Sequence, residues 1–504
     1  MGAAASRLRG PSGAGLAGGL VLAVLVVALL APFLGSDPPH DLTTSNARDT
    51  DEGFNLNNAR QRALFGSFAT GDVDRSLTNG AYSAIAAVVF LVTEPTLAAG
   101  RAVSVAAIAV AVLLLAVGLA EPLGLTAAWL SAAALAGANL ALEYGRLGMV
   151  EPTVLVLLTG GFVLAVQAVR RRSALAGAGC GLLLAAAVSA KAIAVVPAVG
   201  MLGVVLGSGL LRRDRRAVLA GLAAVGGAVA AAAGWFLLVA LPNLERLRIA
   251  LRIWPEVSYP HTPAGVLERL SDYAAFSDSA LGRSGPLLLA AAVGLVALVL
   301  RWRALDPVAR AALVMAGLWG FGLWLALAVG SYSPNRYIVP ALPGLAVLAG
   351  FGLASVATRL PRGRARTALV VALGLVVTVP GAARYLGEAA GSGHQREADQ
   401  RVLAAALPPD AVVIGHYAPT LLFDTDHELL TVWPSAGANT GDPAARFGAT
   451  HVLASAVGDG SDPTLEIPAL RRLRYQVSLP RVRWGPHTLQ LYRLPGPPPP
   501  PQGS

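Results

Sequence analysis

Apolar residues fall in long blocks along this chain, separated by short basic turns and a few longer polar loops. The blocks lie at about 14–34, 98–119, 123–142, 152–169, 174–190, 193–210, 217–241, 285–300, 309–330, 337–356 and 367–381. Crossing the hydrocarbon core takes about 20 helical residues, so the pattern predicts about eleven spans. The first block follows Arg7 and Arg9. It is longer than the apolar region of a signal peptide and lacks a small-x-small cleavage site before Asp37. It therefore reads as an uncleaved first helix.

The polar segments set the rest of the organisation. Residues 36–97 form a long polar-to-amphipathic loop in which Leu64, Phe65, Phe68 and the stretch Tyr82 to Val92 suit helices lying on a membrane surface. After residue 381 the pattern changes. AVVIG (411–415), HVLAS (451–455) and TLQLYRL (488–494) have the length and β-branched content of short buried strands. The expected architecture is mainly α: a transmembrane helical bundle over 1–381, with loop 36–97 outside the membrane, then a small soluble α/β domain over 382–495. Residues 496–504 are a Pro-rich tail expected to be disordered.

Composition and charge sharpen this picture. Of 504 residues 55% are hydrophobic and 13% charged, and the mean hydropathy is +0.61. One soluble core could not bury that much apolar surface, which points to lipid as the solvent. The net charge of +10 would otherwise raise nucleic acid as a partner. Here the charge sits in short turns: Arg170 to Arg172, Arg212 with Arg213, Arg215 and Arg216, Arg301 with Arg303, and Arg359 with Arg362, Arg364 and Arg366. With the N-terminus inside, every one of these turns is cytoplasmic, as the positive-inside rule requires. An odd number of spans then puts the C-terminal domain outside a plasma (inner) membrane. The single cysteine, Cys180, excludes an internal disulfide framework.

Four polar clusters fall on the predicted outer face. The first is Arg48-Asp49-Thr50-Asp51-Glu52-Gly53-Phe54. Three carboxylates in four residues repel one another, which suits a general base or a divalent-metal site built on Asp49 and Asp51. A solvated acidic turn opening a helix accounts for them equally. The second holds Glu143, Tyr144, Arg146 and Glu151. Glu143 and Arg146 are one helical turn apart, so they either pair or contact substrate. The third is Lys191, the only lysine of an arginine-rich chain, at the apex of a 37-residue apolar hairpin. It reads as an interfacial snorkelling residue or as a cation for a lipid phosphate. The fourth runs from Ser331 to Pro340. In it Arg336 suits a bidentate phosphate donor and Tyr337 suits an aromatic-belt anchor.

These segments also resemble a known family. DTDEGFNLNNAR is similar to the first-loop Asp-Glu motif of the GT-C membrane glycosyltransferases, which include protein O-mannosyltransferases (glycosyltransferase family 39) and aminoarabinose transferases. AAGRAVSV, YGRLGMVEPTVLVLL, SAKAIAVVP and NRYIVPALPGLAVLAG resemble later segments of that family, in order, over about 380 residues. The resemblance implies an inverting sugar transfer from a polyprenyl-phosphate donor to an extracytoplasmic acceptor hydroxyl on an envelope glycan, lipid or protein. It implies that Asp51 is the catalytic base, with Glu52 its acidic neighbour, and that Lys191 and Arg336 lie near the donor phosphate. Arg146, Glu151, Tyr82 and Tyr337 are the candidates for the substrate groove. The family's Pro-Pro-x-x-Tyr element is reduced here to Thr78-Asn79-Gly80-Ala81-Tyr82, and the tail lacks the sugar-binding repeats of eukaryotic O-mannosyltransferases. A secondary transporter and a non-catalytic envelope assembly protein are the competing classes. Transporters concentrate polar residues at the midplane of repeated halves, whereas this pattern gathers them at one face.

Overall fold

The structure is a computed structural model that describes residues 11–38, 51–71, 74–252, 262–274, 285–329, 334–361, 363–432, 446–455, 464, 478–484 and 487–494. Asp49, Ser331 to Ser333 and the tail 496–504 lie outside the described residues. The chain divides into two compact units, and each is built from separate stretches of sequence.

The larger unit comprises Met1–Leu34, Ala102–Leu238 and Val257–Ala390. Each of the eleven apolar blocks is helical. Among the described residues, nine helices are long and apolar enough to cross a membrane, or ten if a bent pair counts as one. That pair, Leu125–Ala136 and Asn139–Gly145, turns by 55°. The remaining block is Ala174–Ala190, with 17 residues. At 1.5 Å per residue it reaches only about 26 Å, which is why length alone leaves it short of a full span. The chain is a multi-pass membrane protein.

Local chemistry explains how the basic turns reverse the chain. Arg172 and Arg213 take left-handed conformations, φ 53° and 51°, the geometry that stops a helix at its C-terminal end. The next helices start at once. Ser173 accepts from the Ala176 amide at 3.2 Å, and Asp214 accepts from the Arg216 and Ala217 amides at 3.0 and 3.2 Å. Arg172 pairs with Asp214 at 2.9 Å, closing the two turns on each other.

Small residues bring the helices of this unit together. Gly177 and Gly181 are one turn apart on Ala174–Ala190 and face Arg215–Trp235. A Cβ on either would stand 2.1 Å from the Ala220 carbonyl oxygen or 2.0 Å from that of Ala224. This is the small-xxx-small contact that lets two helix backbones approach in lipid. Gly181→Val is expected to push the pair apart and cost about 1–3 kcal/mol. The check is a lower thermal midpoint in detergent, and an unchanged midpoint would show that the contact contributes nothing.

The second unit comprises Gly35–Arg101, Val239–Glu256 and Gly391–Ser504. The sequence division assigned loop 36–97 to the membrane region. By compactness Gly35–Arg101 groups with Gly391–Ser504. Five strands, β1 (Val412–Ile414), β2 (Glu428–Leu430), β3 (His451–Ser455), β4 (Ser478–Trp484) and β5 (His487–Arg493), form one sheet in the order β2-β1-β3-β5-β4. β1 runs parallel to β2 and β3, while β5 runs antiparallel to β3 and β4. Alternation along the strands separates two apolar clusters. Val413, Leu429, Leu453, Leu489 and Leu491 pack with Leu403 and Leu421. Ile414, Leu430, Val452, Ala454 and Tyr492 form the other cluster.

The first-loop helix Asp51–Phe65 belongs to this unit and is buried from Glu52 to Gln61. That differs from a helix lying on a surface, because its polar residues find partners in the tail. Asn57 and Gln61 donate to the Leu429 carbonyl at 2.7 and 2.9 Å. Arg60 donates to the carbonyls of Phe423 at 2.7 Å and His427 at 2.8 Å, and also to that of Thr425. Burial pushes the Arg60 guanidinium down to about 10, against the pull of Asp424, Asp426 and Glu428, so it remains charged at neutral pH. Gly53 lies against the Pro419–Thr420 backbone, where a Cβ would meet the Thr420 amide nitrogen at 2.4 Å. The helix Gly80–Val92 buries Tyr82, Ser83 and Phe90 and exposes Ile85, Val88, Leu91 and Val92.

Candidate functional site

The membrane unit brings four of the sequence candidates together. Glu151 is the second residue of the Val150–Arg171 helix and is 1% exposed. A carboxylate at a helix N-terminus is favoured by the dipole, yet burial in an apolar unit demands cations as well. Two supply them. Lys191 Nζ binds Glu151 Oε1, and Arg336 Nε lies 3.4 Å from the same oxygen.

The backbone departs from the α-helix at each cation's position, in different ways.

 Lys191 ends the Ala174–Ala190 helix in an extended conformation, φ −160°, before a short 3-10 turn at Ala192–Ala194. Arg336 sits in a second 3-10 segment, Asn335–Ala341, whose Pro340 denies it a regular α-helical ladder. The buried Trp319 indole donates to the Pro340 carbonyl at 2.7 Å and fixes that segment. Tyr337 completes the group. Its ring lies 3.8 Å beneath Lys191 Nζ and 5.5 Å from the Arg336 guanidinium carbon, within range for cation–π attraction. Lys191 and Arg336 keep 17% and 12% of their side-chain surface exposed.

The acidic pair of the first loop lies in the second unit. Asp51 and Glu52 open the Asp51–Phe65 helix, but their settings differ. Asp51 is half-buried. Glu52 is buried in a two-pronged ion pair: Arg101 Nε and Nη2 each reach a carboxylate oxygen at 2.7 Å. Arg101 also donates to the Ser36 carbonyl at 2.7 Å. The neighbouring charges are equally engaged. Asp37 accepts from the Gln395 amide at 2.7 Å, and Asp424 accepts from the Leu97 amide and from Arg396, each at 2.6 Å. Arg101 is absent from the sequence-derived site residues. Its signal was present as a lone arginine inside the otherwise uncharged block 98–119.

The remaining candidates have the following settings. Arg146 is buried and donates to the Phe33 carbonyl at 3.4 Å, and Glu143 accepts from Asn139. Tyr82 is fully buried in the second unit. Asp49, the proposed partner of Asp51 for a divalent metal, lies outside the described residues. Among those residues no group of three His, Cys, Asp or Glu side chains could hold a metal ion.

No protein-family model matches the chain, and no curated protein matches it. Solved structures do. ArnT from Cupriavidus metallidurans in its apo state aligns with a TM-score of 0.64 at 17% identity, covering 94% of this chain and 97% of ArnT. The same protein bound to undecaprenyl phosphate aligns with a TM-score of 0.61 at 16% identity, with the same coverage. The Archaeoglobus fulgidus oligosaccharyltransferase, tethered to an acceptor peptide, aligns with a TM-score of 0.52 at 13% identity, covering 88% of this chain and 69% of that one. The chain has the GT-C fold of these membrane glycosyltransferases.

Proposed function

We propose that this chain is a membrane glycosyltransferase that moves a sugar from a polyprenyl-phosphate donor to an acceptor hydroxyl on the extracytoplasmic face, with inversion. The observation that carries this reading is the pair of cations on Glu151. Lys191 and Arg336 converge on one buried carboxylate beside Tyr337. Two cations placed together in a membrane unit suit an anionic lipid headgroup, and one fold neighbour was solved with undecaprenyl phosphate. The envelope acceptor is a glycan, a lipid or a protein.

The reaction requires little covalent chemistry from the protein. The acceptor oxygen attacks the anomeric carbon as the bond from that carbon to the phosphate oxygen breaks. The phosphate leaves with the electron pair, and the hydroxyl proton passes to Asp51. The leaving phosphate is already stable as an anion, so its growing charge needs cations rather than a strong acid. Lys191 and Arg336 supply them. Glu52 is occupied by both prongs of Arg101, which suits a part in holding Asp51 in place better than one in proton transfer.

The test is donor consumption in liposomes. Purified protein is supplied with a panel of radiolabelled polyprenyl-phosphate sugars and crude envelope acceptor. Wild type is expected to consume one donor. Lys191→Ala and Arg336→Ala are each expected to slow it about 10²–10³-fold, the range found on removing one donor of a charge-stabilising site. If folded wild type consumes no donor, the enzyme reading fails and transport or scaffolding takes its place.

A further inference from the structure

Glu151 poses a question that phosphate binding alone does not answer. A site meant only to hold an anion gains nothing from a buried carboxylate among its cations. Yet Glu151 is 1% exposed and meets both Lys191 and Arg336 through a single oxygen. Its other oxygen, Oε2, is buried without a hydrogen-bond partner. The carboxylate is therefore not locked in place by a second set of bonds.

The charges of donor and product give it a purpose. A sugar–phosphate–lipid diester carries one negative charge. Once the sugar has left, the lipid is a monoester of about −1.5 to −2 at neutral pH. Two cations alone would match the product better than the donor and would hold it after every turnover. Lys191, Arg336 and Glu151 taken together sum to +1, which matches the diester.

We propose that Glu151 sets the charge of the headgroup site so that the spent lipid monophosphate is released and the diester donor is preferred. Glu151 acts through the two cations as a positioning and specificity residue and takes no part in bond breaking. This inference rests on the reading of Lys191 and Arg336 as the donor-phosphate site.

The measurement is the relative affinity of a polyprenyl monophosphate and its methyl phosphodiester for the detergent-purified protein, read by competition with labelled donor. Wild type is expected to bind the diester at least as tightly as the monoester. In Glu151→Gln the ratio is expected to swing toward the monoester by about ten-fold or more, and turnover to show a burst followed by a slower product-limited phase. Glu151→Asp keeps the charge and should restore the wild-type ratio. A wild type that prefers the monoester ten-fold overturns the proposal with no variant needed, so a variant that fails to fold leaves it testable. An unchanged ratio in folded Glu151→Gln also overturns it. If instead Lys191→Ala and Arg336→Ala bind both lipids as wild type does, it is the headgroup reading itself that fails.

Discussion

Asp51→Asn is expected to abolish sugar transfer while the protein folds and inserts normally. The substitution is isosteric, and Asp51 opens its helix from a half-buried position. What disappears is the group proposed above to take the acceptor proton. Removing a positioned base costs about 10²–10⁴-fold in rate. The measurement is single-turnover loss of label from the donor in liposomes, with the thermal midpoint followed alongside. A variant that keeps wild-type turnover would remove Asp51 from the reaction. A variant that loses turnover together with several degrees of stability would mark it as structural.

The second large effect is expected at Arg101. Its guanidinium holds both oxygens of Glu52 at 2.7 Å, with 1% of either side chain exposed. Breaking a buried pair by removing one partner costs about 3–5 kcal/mol, because the other charge is left without compensation. Arg101→Met is therefore expected to destabilise the second unit by that amount, read as a lower unfolding midpoint and faster proteolysis of the first loop. Arg101→Lys is a poor replacement, since an ammonium cannot make the two-pronged contact. Pairing Arg101→Met with Glu52→Gln removes both charges and should recover most of the loss. Recovery of stability without recovery of turnover would assign the pair a role beyond folding. No recovery in the double variant would show that packing, not charge, sets the cost.

Much of this was legible in the chain because bilayer physics writes a strong signal. A helix that crosses lipid must be apolar for about 20 residues, and all eleven blocks read from the sequence are helical. The three strands read at 411–415, 451–455 and 488–494 coincide with β1, β3 and β5. β2 escaped notice because its three residues, Glu428–Leu430, open on a charge and follow the polar run Asp424 to His427. β4 escaped because Pro480, Arg481 and Arg483 interrupt it. The meeting of Glu151 with Lys191 and Arg336 was out of reach. Those residues are separated in sequence by complete helices, and periodicity within a helix says nothing about which helix it faces. The burial of Asn57, Asn58, Arg60 and Gln61 was hidden for a related reason. A polar run reads as solvated unless its partners are known, and here they include carbonyls of Phe423, His427 and Leu429 in the tail.

That arrangement bears on how the protein is made. Asn57 waits for a carbonyl 372 residues further along the chain. At roughly 5–20 residues per second, the ribosome takes on the order of 20–75 s to deliver it. Through that interval the helix bearing Asp51 lacks the sheet that shelters its polar side. On the reading proposed above, the helix bearing Asp51 finds these partners only after residue 429 has been made, so a chain truncated after its final span is expected to insert in the membrane and to show no sugar transfer.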